Sequence, residues 1–526
     1  MQGVLFDIMA GLERLLHTFF GSNRTLSRYL TLFYGITLGL AFILAFFSIF
    51  RHENATSVTI SSTATQVILS QAETSTPGST QAQARNTPTL LPAILPTPNE
   101  KTPSALGVTA DQLRGVQVNL WHPWAGANGA ALQSILDEFN STNQWGITVQ
   151  ASPYEGFGGL DEAMESALLT NTQPDVIVDY GYQARHWDGV DALVDQTPYV
   201  NDPVWGMTSD EQTDFYPSFW AEDLVTNATT GQARRLGIPF YRSAYVLYYN
   251  QSFAHELGYP KPPITAEDFR VRACAAAQFI SKQGDKSNLG KGGWLITPQP
   301  GELVGWIYAF GGGITNPESA DYLFNTPDTL QAFRYLKGLQ ESGCAWLDPS
   351  VDAKSEFANR HALFIVGSLF DIYTQREAFA QAGNADEWVV LPFPSSNQPA
   401  VDTYGPSISI TRSNPTKQLA SWLVTKWLVY PLNQSEWVQA LETYPTRLST
   451  LGYMDGSAVN SPQWAQALNL IPDAHSEPSL ASWSVMRWAL EDVITQLFAP
   501  QFGADQIPAL LEKLDSVAAE IYSQVQ

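Results

Sequence analysis

"GIPFYRSAYVLYYN", residues 237–250, decides how the rest of the chain is read. Pro239 and Phe240 lead into Tyr241, Arg242 and Ser243, and Tyr245, Val246, Leu247, Tyr248 and Tyr249 follow. Aromatic and β-branched residues at that density predict a strand buried on both faces. The arginine and serine at its start have two readings. They are either a detail of folding, with the arginine in a structural salt bridge, or the point where the chain crosses between two lobes. In the second case they present polar groups to the space between the lobes.

The flanks favour an α/β fold. Upstream, "VQVNLW" alternates as a strand. "GAALQSILDEFN" then puts Ala131, Leu132, Ile135, Leu136 and Phe139 on one helical face. "GITVQA" is a second strand, "GGLDEAMESALL" a second helix and "PDVIVDY" a third strand. That order predicts a parallel sheet covered by helices. Downstream the pattern resumes. Thr265 and Asp268 form a capping box before "FRVRACAAAQFI". Pro327 and Pro415 stand at first helical positions behind Thr326 and Asn414. "ALFIVG", "EWVVLPF" and "YGPSISIT" read as strands, and the last stretch as helices.

The N-terminus is different in kind. Residues 1–28 have helical spacing with one apolar face, as in a segment lying on the cytoplasmic surface of a membrane. Residues 29–50, "YLTLFYGITLGLAFILAFFSIF", carry no charge and are long enough for a transmembrane helix. Arg14, Arg24 and Arg28 precede them and only Arg51 closely follows, which puts the N-terminus inside. No small-residue cleavage site and no cysteine lie just behind, so an uncleaved anchor is expected. Residues 51–111, rich in Ser, Thr, Gln and Pro, are expected to be a disordered tether. The folded domain is then 112–526.

Bulk numbers narrow the function. Acids outnumber bases 51 to 28, for a net charge of −23, which argues against a nucleic-acid partner. Aromatics reach 12%, enough to furnish both a core and a pocket that stacks flat faces on a ligand. The two cysteines, Cys274 and Cys344, have no zinc-site spacing, so no metal is expected. Outside the cell they form a candidate disulfide; the other reading is two separate buried thiols.

No G-x-S-x-G elbow, H-E-x-x-H or phosphate loop occurs, and "GKGG" at 290–293 lacks the spacing and the Ser or Thr of such a loop. Asp137, Glu138 and Glu165 read as exposed helix residues. The ends of the first three predicted strands are more telling. "WHPWAG" (121–126) places Trp124 beyond the first strand, "YEGFGG" (154–159) follows the second, and Tyr180 ends the third. Ligands of parallel α/β sheets sit beyond those ends. Trp124 is therefore either a stacking platform or core, whereas Trp121, still on its strand, reads as core.

Seven segments in order, "LWHPWAG", "LDEFN" before "GITV", "IPFYRSAYVLYYN", "FGGG", "FNTPDTLQAFRYLKGL", "YGPSISI" and "YPTR" (444–447), together make the chain resemble a family. It is similar to the extracellular solute-binding proteins of ABC sugar importers, the group of maltodextrin- and glycerol-phosphate-binding proteins. The resemblance covers roughly residues 115–520 and departs at the N-terminus, where there is no lipid-attachment cysteine. It implies a two-lobed periplasmic-binding-protein fold, α/β in class, with a hinge between the lobes. Lobe one is expected at about 112–240 and 390–430, lobe two at about 245–388 and 432–526. Tyr241, Arg242 and Ser243 then line the cleft at the first crossing, and Tyr404 and Gly405 at the second. Gly367, Ser368, Trp306 and Arg447 join Trp124, Tyr154 and Tyr180 as ligand-binding candidates by the same comparison. Trp422, Trp427, Trp437 and Trp488 read as core.

The expected function follows. This is a binding protein without cofactor or chemistry of its own, held outside the cytoplasm by its N-terminal helix. It takes a mono- or oligosaccharide and hands it to ABC permease subunits. An anionic ligand such as a glycerol phosphate stays open because Arg242 and Arg447 both face the ligand in this reading. The alternatives are an extracellular glycan-processing enzyme and a ligand sensor acting through a separate partner.

Overall fold

The chain changes sheets at Phe240. Gly237–Pro239 is a strand of one sheet, and Tyr241–Asn250 runs through the middle of another. The computed structural model describes residues 103–226, 231–282, 291–316, 321–395, 398–454 and 461–525, all within one compact unit, Thr89–Gln526. The surface segment 1–28, the transmembrane candidate 29–50 and the tether as far as residue 102 lie outside the described residues. Among the described residues no helix is long and apolar enough to cross a membrane.

The strands in chain order are β1 (Gln117–His122), β2 (Thr148–Pro153), β3 (Val176–Asp179), β4 (Leu224–Thr226), β5 (Ala233–Arg235), β6 (Gly237–Pro239) and β7 (Tyr241–Asn250). They continue with β8 (Gly292–Ile296), β9 (Ala345–Leu347), β10 (Ala362–Ser368), β11 (Trp388–Leu391), β12 (Val401–Tyr404), β13 (Ser407–Ile410), β14 (Tyr444–Pro445) and β15 (Ala474–Ser476). The first lobe holds a sheet ordered β2-β1-β3-β13-β6, with β1 parallel to β2 and β3 and β13 antiparallel to both its neighbours. The second holds β15-β12-β7-β10-β8-β9, with β11 and β14 also paired to β7. β4 and β5 form a small hairpin.

β7 is buried along its length except for half-buried Tyr245, because it is flanked by strands on both sides and covered on both faces. The expected caps are made. Thr265 Oγ1 accepts from Asp268 N at 3.1 Å, while Thr265 N donates to Asp268 Oδ2 at 3.2 Å. Asn414 Oδ1 accepts from Lys417 N at 3.0 Å. Cys274, on the helix Ala266–Lys282, is bonded to Cys344, just before β9, across a separation of 70 residues.

Three boundaries move. The folded domain already includes Ser104, whose hydroxyl donates to Asp202 Oδ2 at 2.8 Å, and it buries Val108 and Leu113. The tether thus ends before residue 104, not at 111. β11 and β12 pair with β7, so the return to the first lobe lies at Gly405–Pro406 and residues 390–404 belong with the second. The helix Pro431–Leu441 packs on the helix Gly126–Thr142 of the first lobe, so the last crossing comes after it.

Trp422, Trp427 and Trp437 are core, and the Trp427 indole donates to the Ile135 carbonyl at 3.0 Å. Trp488 is not; it is 70% exposed. Trp483, Met486, Leu490, Val493, Ile494 and Leu497 occupy the buried face of its helix and leave Trp488 on the other.

Candidate ligand-binding cleft

Strand register assembles the site. In β7, Ser243 pairs with Tyr404 of β12, and Tyr245 pairs with Ser368 of β10. Side chains of facing residues lie on the same side of a sheet. Ser243, Ser368 and Tyr404 therefore meet in a chain of hydroxyls. Ser243 Oγ lies 3.1 Å from Ser368 Oγ, which lies 2.7 Å from the Tyr404 phenol. The Tyr245 ring stands 5.0 Å from the Tyr404 ring. Ser368 also caps the short turn that follows, accepting from Phe370 N at 3.2 Å.

The first lobe brings aromatic rings to the same place. Beyond β3, Tyr180 packs on Phe157 at 4.2 Å and stacks on Tyr182 at 5.5 Å. Burial pushes its phenol well up, with Tyr241, Tyr404, Tyr182 and Glu477 adding to the effect, and Tyr182, on which it stacks, packs against the second lobe's apolar cluster. The Tyr241 ring lies 6.1 Å from the Trp124 ring, and burial holds its phenol well above the usual range. Trp124 is 9% exposed, packed edge-on against Trp437 at 4.6 Å and against Phe157 and Phe240. It forms the floor beneath Tyr241. His122, which sequence reasoning passed over, accepts from Trp124 N through Nδ1 at 3.3 Å, and burial lowers its pKa to about 4. It is a neutral ring that holds the Trp124 backbone.

Arg242 is held by the protein. Its Nε donates to Glu222 Oε2 at 2.7 Å, Nη1 to the carbonyls of Tyr241 and Pro406 at 2.8 Å each, and Nη2 to Ser407 Oγ at 3.2 Å. The side chain is 1% exposed. The folding reading of the opening motif is thus correct for the arginine, while Ser243 beside it belongs to the hydroxyl chain. Glu222 is mostly buried, its side chain 13% exposed, and this desolvation pushes its carboxyl up to about 7 against the pull of Arg242 and of a hydrogen bond from Ser476.

Three other candidates lie elsewhere in the architecture, and two glycines are close-approach positions. Trp306 is fully buried in the second lobe's core among Phe269, Trp294 and Phe393, a correction forced by the apolar helix that carries it. Arg447 donates to Asp214 Oδ2 at 2.7 Å and covers the Phe215 ring, so it too is spent on the fold. Tyr154 packs on Trp121, which alternation turns to the opposite face of the sheet from His122. Gly405 is a close-approach glycine: a Cβ there would fall on the Tyr241 carbonyl. Gly367 is similar, because a Cβ would meet the Tyr248 ring at 3.0 Å.

The second lobe adds charged groups that no motif announced. Glu477 accepts from the Trp483 indole at 2.8 Å and from Arg487, whose Nη2 also donates to the Tyr245 phenol at 3.3 Å. Asp402, fully buried on β12, has no hydrogen-bond partner for either carboxylate oxygen. Burial pushes its carboxyl well up, beside Glu477 and opposed by Arg487. Among the described residues, no group of three or more His, Cys, Asp or Glu is placed to hold a metal ion. A cavity of about 420 Å³ lined by Phe253, Phe279, Lys291 and Arg360 lies at the far end of β7 from the hinge.

A family model described as bacterial extracellular solute-binding protein matches residues 134–469. The chain belongs to this family. The two-lobed fold agrees with solved structures of low sequence identity. The cyclic α-maltosyl-1,6-maltose binding protein of Arthrobacter globiformis superposes with a TM-score of 0.65 at 18% identity, over 78% of this chain and 99% of that one. The sugar-binding protein MalE of Xanthomonas citri gives 0.65 at 18% identity, over 78% and 98%. UgpB of Mycobacterium tuberculosis, solved with glycerophosphocholine, gives 0.59 at 16%, over 78% and 98%. A probable ABC transporter-binding protein of Deinococcus radiodurans is 29% identical over 154 residues, 27% of this chain and 36% of that protein's length. The family and the fold are those of binding proteins.

Proposed function

We propose that this solute-binding protein is the receptor of an ABC importer and that it takes a neutral carbohydrate between its lobes. The observation that carries the reading is the hydroxyl chain Ser243–Ser368–Tyr404, set at the hinge among the rings of Tyr180, Tyr241 and Tyr245. Hydroxyls that both donate and accept suit sugar hydroxyls, and aromatic faces suit the C–H surface of a pyranose ring. The arginines nearby favour an uncharged ligand over a phosphorylated one, because Arg242 and Arg487 are each paired with a carboxylate. Structural neighbours whose names include sugar, maltose and maltodextrin support the class. In this reading the domain stands outside the cytoplasm, tethered by the apolar run 29–50, and its partners are the importer's permease subunits. Ligand contacts are assigned to Tyr180, Tyr241, Ser243, Ser368 and Tyr404, with Trp124 as support.

Calorimetric titration against mono- and oligosaccharides and their phosphates tests this. Ser368→Ala and Tyr404→Phe should each weaken binding of the active sugar by up to about tenfold, the value of one hydrogen bond. Their melting temperatures should stay near the parent's. A panel in which no neutral sugar binds would defeat the reading.

A further inference from the structure

Gly181 has no conformational reason to be glycine. It opens the helix Gly181–Gly189 behind Tyr180, and its φ is not in the left-handed region. Its reason is across the cleft. A Cβ on Gly181 would lie 2.5 Å from Ser479 Oγ and 2.9 Å from Ser479 Cβ. Gly181 follows β3 of the first lobe, whereas Ser479 follows β15 of the second. The two lobes touch here at a spacing that only a bare backbone permits.

Two further contacts join the same segments. Ser479 Oγ donates to the Glu222 carbonyl at 3.2 Å, and Ser476 Oγ donates to the Glu222 carboxylate. Glu222 ends a helix, Pro217–Glu222, that packs on β6 of the first lobe, and its other carboxylate oxygen holds Arg242 at the hinge. Next to Gly181, the ring of Tyr182 packs against the second lobe's apolar cluster, to which Leu480 and Trp483 also belong. One short stretch of the second lobe, 476–480, thus engages two helix ends of the first, and Glu222 links that contact directly to the hinge strand.

We propose that Ser476 and Ser479, closing on Glu222 and Gly181, form a latch that holds the two lobes together and so sets how tightly solute is retained. In this scheme the hydrogen bonds and the close approach form only when the lobes shut, so they contribute free energy to the closed form alone, which is what shifts a two-state equilibrium. Gly181 and Glu222 are positioning residues in this scheme; they act on solute through the lobes. The proposal is independent of the solute's identity.

The test measures the lobes directly. Spin labels at Leu169→Cys in the first lobe and Ile264→Cys in the second, both exposed, report the interlobe distance by pulsed dipolar spectroscopy. The native cysteines are bonded to each other and do not take label. The parent should show a short, closed-form distance. Gly181→Ala, which if anything favours its helix, should raise the ratio of long to short distances about fivefold or more. In the Ser479→Gly background, where the obstructing side chain is gone, the same substitution should change nothing further. Overturning results are a parent with only the long distance, no change on Gly181→Ala, or an equal change in both backgrounds.

Discussion

Replacing Arg242 by methionine keeps the aliphatic stem and removes the guanidinium, which makes the consequence calculable. Four hydrogen bonds disappear at once: to Glu222, to the carbonyls of Tyr241 and Pro406, and to Ser407. Glu222 is left in a buried site without its cation. Removing one partner of a buried pair costs about 3–5 kcal/mol. With an unfolding entropy near 2.1 cal/mol/K per residue over about 420 residues, that corresponds to a melting-temperature drop of about 3–6 °C. The cost should depend on pH in a fixed direction. Glu222 already stands at about 7 in the fold, raised from its ordinary value, and losing Arg242 removes a charge that lowers it. In the variant a neutral Glu222 satisfies the site below that range, and an ionised one must be buried unpaired above it. Arg242→Met should therefore cost more at pH 8 than at pH 5.5. Adding Glu222→Gln should recover a large part of the loss at pH 8. Urea unfolding of the three proteins at both pH values decides it. A loss under about 1 kcal/mol, below even one hydrogen bond to a charged group, or an identical loss at the two pH values, would refute the reasoning.

Three further outcomes are expected. Trp427→Ala should lose about 3–5 kcal/mol as a large core deletion, whereas Trp488→Ala should stay within about 0.5 kcal/mol; urea midpoints separate them. Reducing the Cys274–Cys344 bond should cost about 4 kcal/mol for a loop of this length, measured by unfolding with and without reductant. Between pH 5 and 8 the melting temperature should fall. Burial raises the carboxyls of Asp179, Glu302 and Asp402, with Glu302 up to about 8, so their contribution is present at acid pH and is lost as pH rises through the folded values. Glu302→Gln should flatten that slope.

The alternation of β1 to β3 with their helices, the caps at Thr265 and Asn414 and the apolar density of β7 were legible because they are local. Trp306 and Arg447 were misplaced because the groups that absorb them, Phe393 and Asp214, lie far away in the chain. The meeting of Ser243, Ser368 and Tyr404 is a matter of register, set by pairings of β7 with two distant strands. Glu222, Glu477 and Arg487 left no sequence signal, since lone acids and bases on helices and turns read as solvated surface. Trp488 was assigned to the core because it sits in a helical run, and only the spacing of the apolar residues around it could have corrected that.

The position of β13 has a consequence for the order in which this molecule is made. β13 lies between β3 and β6 in the first sheet, yet it is synthesised after every strand from β7 to β12. Ile408 and Ile410 on it are fully buried. A nascent chain that stops short of Ser407 therefore has a first lobe with its central partner missing and the flanks of β3 and β6 unpaired. Closing that gap means bringing together segments separated by strands β7 to β12 of the second lobe, which is slow because the loop entropy must be met before the contacts form. The first sheet is therefore completed only once β13 has been made, however early β1 to β3 pair among themselves.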